Sequence, residues 1–223
     1  LPYPGGPQLA RLAESGRASD ALPWLEKARA ASRERGDALN QAYVALGMAT
    51  ARCALAQWAR CDESLAVTQE AMRAVRPPEH PVFAAIKVVD AQSRVARGDP
   101  GRARTLLDEA MAIYAKAGAR GAPGRSQVLA MQARLASGRA EHARALGLAQ
   151  QAIDEATSAA SDEFPTSELA GQALLAQAIA LRAGGDGAGA DAAARKAVGH
   201  LAASLGPEAS ATREAKVLLA GRS

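Results

Sequence analysis

One spacing, repeated along this chain, limits its fold more than any other feature. Residues 98–110 read GDPGRARTLLDEA and residues 16–28 read GRASDALPWLEKA. Each begins on Gly and carries Ala five residues on (Ala103, Ala21), Leu nine on (Leu107, Leu25) and Ala twelve on (Ala110, Ala28). Residues 185–197 repeat the offsets at Gly185, Ala190, Ala194 and Ala197. Residues 59–71 keep small side chains at Ala59, Ser64 and Ala71, and a run from Gly138 begins with Ala143 before drifting by two residues. Positions 21, 64, 103, 143 and 190 then fall at intervals of about 40 residues, a period that in an all-helical chain means stacked helical hairpins.

The spacing has a direct physical reading. The Gly closes the turn between two antiparallel helices. Small residues five and twelve on are seven apart, two helical turns, so they share one stripe where a neighbouring helix can approach closely. The Leu between them is a core knob, and each pattern marks the second helix of a pair. First helices are expected upstream, at 37–58, 81–98, 123–138 and 165–185. Pro81, Pro123 and Pro165 suit a first helical turn, where the missing N–H costs nothing. Ser161 or Thr166 suits the cap of the last of these helices. Pro23 is tolerable only near the start of its helix.

Composition agrees with this pattern. About a quarter of the residues are Ala and only 3% are aromatic, so helix is the favoured state and the core must be built from Ala and Leu. The expected fold is all-α: a right-handed α-solenoid of about five antiparallel helical hairpins with a C-terminal capping helix. A linker remnant at 1–7 precedes a single repeat domain at 8–223. Its units fall near 8–36, 37–78, 79–120, 121–162 and 163–206, with the amphipathic cap at 207–223.

In the third unit the pattern runs Ala91, Gly98, Pro100, Ala103, Leu107, Ala110, and in the fifth Ala178, Gly185, Gly187, Ala190, Ala194, Ala197. With the links RPPEHPVFAA and SLGPEASAT, it resembles the tetratricopeptide repeat in its longer, roughly 42-residue form, known from kinesin light chains and bacterial signalling proteins. Three departures stand out. Arg52 occupies a place where the repeat is small, no aromatic follows a turn by two residues, and the second helix of the fourth unit is out of register.

The resemblance implies that first helices line a concave groove. Its lining residues would be Val88, Gln92 and Val95 in the third unit, Val128, Gln132 and Leu135 in the fourth, and Leu175, Ile179 and Arg182 in the fifth. Ala49, Cys53 and Ala56 line it in the second. Aliphatic floors with a short Gln row suit a protein or peptide ligand, because Gln both donates to and accepts from a backbone. The alternative is that this face only packs against neighbouring helices. The Lys, Arg and Asn set with which some members grip a C-terminal carboxylate is not found.

Other chemistry finds little support. The net charge is +4 without basic blocks, which with so few aromatics argues against nucleic acid. No apolar stretch is long enough for membrane insertion. The three histidines, His80, His142 and His200, are each about 60 residues apart, so no metal is expected. The acidic pairs at 62–63, 108–109, 154–155 and 162–163 read as solvated faces, since adjacent residues on a helix diverge by about 100°. GGDGAG at 184–189 has the composition of a phosphate loop without its strand or Lys-Ser/Thr, and falls at a hairpin turn. Cys53 and Cys61 read either as two small half-buried side chains or as a disulfide in an oxidising compartment. The compartment therefore stays open: cytoplasmic, or periplasmic if a signal or membrane segment lies upstream.

The function expected is a non-enzymatic protein- or peptide-binding repeat module of a bacterial signalling or assembly protein, needing no cofactor. The bacterial assignment rests on an Ala- and Arg-rich, Lys-poor composition. The alternative is a ligand- or peptide-sensing regulatory domain of a larger kinase or transcription regulator, consistent with the linker-like start and absent initiator Met. The oligomeric state is left open.

Overall fold

The computed structural model describes residues 18–160 and 167–221. The 1–7 linker, the start of the first repeat through residue 17, and Ser161, Pro165 and Thr166 lie outside them. The described residues form ten α-helices and no strand: α1 Ala18–Glu34, α2 Ala38–Ala54, α3 Trp58–Arg73, α4 Pro81–Ala96, α5 Pro100–Lys116, α6 Ala122–Ser137, α7 His142–Ser158, α8 Glu168–Ala183, α9 Gly187–Leu205 and α10 Ser210–Ala220. The expected all-α stack of hairpins is present, and the chain divides between Ile113 and Tyr114 into two compact units.

The four described hairpins, α2–α3, α4–α5, α6–α7 and α8–α9, close in the same way. The turn residue takes a left-handed conformation: Ala56 (φ 55°), Gly98 (φ 78°), Ala140 (φ 59°) and Gly185 (φ 89°). The next N–H reaches back to a carbonyl five residues earlier, Gln57 to Arg52, Asp99 to Arg94, Glu141 to Ala136 and Asp186 to Leu181. This satisfies a carbonyl left over at the helix C-terminus.

These turns correct the repeat register in two places. Counting from Ala56, the positions five, nine and twelve on are Cys61, Leu65 and Thr68, all buried; Ala59, Ser64 and Ala71 are not the equivalents. Counting from Ala140, they are Ala145, Ala149 and Ala152, each fully buried, whereas Ala143 is exposed. The fourth unit is therefore in register. Seven residues before each turn stand Ala49, Ala91, Ala133 and Ala178, each fully buried, so the departure assigned to Arg52 disappears. Trp58 follows the Ala56 turn by two residues, supplying an aromatic that counting from 59 misses.

In the first unit, Leu25 packs with Val44, Met48 and Ala51, while Cys61, Met72, Phe83 and Ile86 form the larger cluster. Cys53 and Cys61 are joined by a disulfide across the α2–α3 turn. Pro23 lies inside α1 rather than in a first turn. Its missing N–H removes the bond that residue 23 would donate to the Ser19 carbonyl, and both residues are exposed, so water can serve that carbonyl.

In the second unit, Leu175, Ala197, Leu201 and Ala215 pack at the centre. The Arg125 guanidinium holds the start of α6 by pairing with both Glu155 oxygens at 2.7 and 2.8 Å and donating to the Gly118 carbonyl at 2.7 Å. The cap of α8 is Ser167, whose hydroxyl accepts from the Ala170 N–H at 3.2 Å.

His80 caps α4, its Nδ1 accepting from the Val82 N–H at 3.2 Å, with Pro81 in the first turn as expected. Burial and then the nearby Arg76 charge hold its pKa below the ordinary 6.5. The fold thus favours neutral imidazole. The stabilisation is complete above the unfolded pKa near 6.5 and is lost as pH falls through the window below it. Between pH 7.5 and 5.5 the Tm of the parent should fall further than that of His80→Asn, whose amide caps without titrating. Equal falls, measured by circular dichroism, would remove His80 from the pH response.

Candidate functional site

Four residues expected to line the groove lie inside the helix stack: Val88 at 1% exposure, Val128 and Leu175 at 0%, and the disulfide-bonded Cys53 at 8%. Ala49, grouped with them, is also fully buried, while Ala56 is the exposed turn itself. Gln92 is exposed, Val95 is 42% exposed, and Gln132, Leu135, Ile179 and Arg182 are half-buried.

The corrected register changes which residues are equivalent. Ten, six and three residues before the Gly98 turn stand Val88, Gln92 and Val95. The same positions before Ala140 are Ala130, Arg134 and Ser137, and before Ala56 they are Leu46, Thr50 and Cys53. The aliphatic–Gln–aliphatic match between the third and fourth units came from counting from Gly138, which ends its helix in the right-handed region (φ −64°).

Each unit presents its own first-helix face. In the second unit Arg134 on α6 makes a two-pronged pair with Glu214 on α10, at 3.0 and 2.7 Å. Helix α8 packs against both α6 and α10, so this pair reaches past it. Arg182 is also engaged, donating to Asp191 at 2.7 Å and to the Leu218 carbonyl at 3.0 Å, and Ile179 packs on the Leu175–Leu201 cluster. In the first unit the same stripe carries half-buried Tyr43 and Leu46 on α2 and exposed Gln92 and Val95 on α4.

The first unit also holds a cleft of ≈ 260 Å³ among α3, α4 and α5. Its floor is Phe83, Ile86 and Leu106, and its rim is charged. Arg94 pairs with Asp90 at 2.9 Å and approaches Asp62 at 3.6 Å, and Arg97 donates to both Asp62 oxygens at 3.0 and 2.9 Å. The Asp90 hydrogen bond, opposed by burial, pushes the Arg94 pKa further up. Lys87 pairs with Glu109, and that hydrogen bond holds the Glu109 carboxyl below its usual range. Three of the acidic pairs expected to be wholly solvated thus lend a member, Asp62, Glu109 and Glu155, to contacts between helices. Among the described residues no group of three or more His, Cys, Asp or Glu side chains gathers as a metal site. No described helix is long and apolar enough to cross a membrane.

A solved structure shares this arrangement: a Podosopora anserina protein assigned as a kinesin light chain, with nearly identical TPR-like repeats. The match covers 89% of this chain and 93% of that one, at 21% identity and a TM-score of 0.56. The fold is that of tetratricopeptide-like repeats. No protein-family model matches the sequence, and no curated protein matches it. The TPR-like architecture accounts for the invariant Ala seven residues before each described turn and for the shared turn closure.

Proposed function

We propose that the chain is a non-enzymatic protein- or peptide-binding module, in the setting of a bacterial signalling or assembly protein. The TPR-like fold supports an interaction role. The observation that carries the reading is the stripe of the first unit, where Gln92 and Val95 stand exposed on α4 and the half-buried Tyr43 and Leu46 of the neighbouring α2 show their outer edges while packing inward on the core. Aliphatic and aromatic side chains offer pockets, and the Gln92 amide offers both a donor and an acceptor to a peptide backbone. The second unit carries its own first-helix face, which takes in half-buried Gln132 and Leu135, while Ile179 packs on the core and Arg182, Arg134 and Glu214 are engaged.

Selection from a displayed peptide library tests this. Enriched peptides should bind the chain and lose at least about tenfold in affinity, about 1.4 kcal/mol, in Gln92→Ala/Val95→Asp. Unchanged affinity in that variant would move the site off this stripe. Gln132→Ala then reports separately on the second unit.

A further inference from the structure

The first unit contains two clefts at equivalent places in successive repeats, and they differ in charge. One is the α3–α4–α5 cleft described above. The other, of ≈ 130 Å³, lies among α1, α2 and α3. Arg52 and Arg94 hold the same position, four residues before their turns, and each lines its own cleft. Arg94 is bracketed by Asp90 and Asp62. In the first cleft the counterparts of those carboxylates are apolar: Met48 stands where α4 has Asp90, and Leu22 where α3 has Asp62. Val67 stands where α5 has Glu109.

Arg52 therefore lacks the carboxylates that neutralise its counterpart. One of its N–H groups donates to the Ser64 hydroxyl at 2.7 Å, and that hydroxyl donates to the Arg60 carbonyl at 2.6 Å. Arg29 and Arg33 are one helical turn apart on α1 and line the same cleft. Among the described residues none of these three guanidinium groups makes an ion pair within 4.0 Å. Among the described residues Glu63 is the only acidic side chain lining the cleft, against three arginines.

Three cations around one recess repel each other unless an anion joins them, and guanidinium forks match the oxygens of a phosphoryl group. The recess is well below the roughly 300 Å³ at which pockets for drug-sized ligands begin, so it suits an oxyanion and not a nucleotide. We propose that the cleft among α1, α2 and α3 is an oxyanion site that takes a phosphoryl group between Arg29, Arg33 and Arg52. The group is supplied either by free phosphate or by a phosphorylated side chain of a protein. The site uses a different stripe of α2 from the peptide face and stands independently of it.

Calorimetric titration of the 223-residue chain with inorganic phosphate, at constant ionic strength in chloride, tests the assignment. One saturable site per chain is expected. Its affinity should fall at least about tenfold in Arg29→Gln/Arg33→Gln and also in Val67→Glu. Val67→Glu removes no arginine; it installs the carboxylate that the next repeat already carries, at a position 53% exposed that accepts it without repacking. Arg73→Gln, outside the cleft, should bind as the parent does. No saturable phosphate binding, or parental affinity in either cleft variant, overturns the proposal. A phosphoserine peptide that binds at least tenfold more tightly than phosphate identifies a phosphoprotein as the source, and equal affinity identifies the free anion.

Discussion

Leu201→Ala should lower the unfolding free energy of the second unit by about 3–4 kcal/mol, because the leucine is fully buried and its loss leaves a cavity. The side chain sits against Gly171: a Cβ built there would stand 2.7 Å from Leu201 Cγ and 3.1 Å from His200 Cβ. Leu201 thus occupies the space that any side chain at 171 would need. Gly171→Ala alone should therefore destabilise by about 1–2 kcal/mol, despite the better helix propensity of alanine. Combined with Leu201→Ala, the new methyl enters vacated space and the propensity gain remains. The double variant should be more stable than Leu201→Ala alone, with a coupling of about 1–2 kcal/mol. Urea unfolding followed by circular dichroism measures each corner of the cycle. Simple additivity would mean that the two sites do not share this contact.

The same packing rule explains what could be read from the chain in advance. Ala, Leu and Gly at fixed offsets from Gly98 and Gly185 announce small stripes, knobs and a left-handed turn. Both turns are followed by Asp, and both aspartates cap the next helix, Asp99 accepting from Arg102 N–H and Asp186 from Gly189 N–H. The other two turns carry neither signal. They read Ala56-Gln57 and Ala140-Glu141, and Gln57 and Glu141 make no side-chain cap. A left-handed alanine costs roughly 1–2 kcal/mol against the right-handed state, and the shared closure of the turn has to outweigh it. Local preference therefore points away from the true turn, and nearby Gly138 draws the count two residues off. The hairpin itself decides, through the carbonyl that the residue after the turn must satisfy.

That register slip also explains why the exposure of the expected lining residues was only partly legible. Val128 and Gln132 look like Val88 and Gln92 only when counted from Gly138. Burial depends on how second helices fill the gaps between first helices, and sequence spacing alone does not tell a core valine from a lining one. Gln92 and Val95 stand on the surface, whereas Val88, one turn earlier on the same stripe, is core. The charged clefts were invisible for another reason. Arg29, Arg33, Arg52 and Glu63 come from three helices, and they meet only once α1, α2 and α3 are stacked.

The disulfide gives the second large effect. Cys53 and Cys61 close a nine-residue loop over the Ala56 turn, and restricting that loop in the unfolded chain is worth roughly 2.5 kcal/mol. Added reductant should lower the Tm of the parent by about 5–10 °C. The repeat supplies a control that leaves no cavity. Position 61 is equivalent to Ala21, Ala103, Ala145 and Ala190, all buried, so alanine fits there. Position 53 is equivalent to Ser137, a buried serine three residues before its turn. Cys53→Ser/Cys61→Ala therefore removes the cross-link while keeping side chains that this packing already accepts. Its Tm should match that of the reduced parent and ignore reductant. A double variant as stable as the oxidised parent would show that the turn is held by its left-handed Ala56 closure and the packing of α2 on α3, with nothing added by the bond. A variant less stable than the reduced parent would show that the two sulfur atoms also fill space that Ser and Ala leave open.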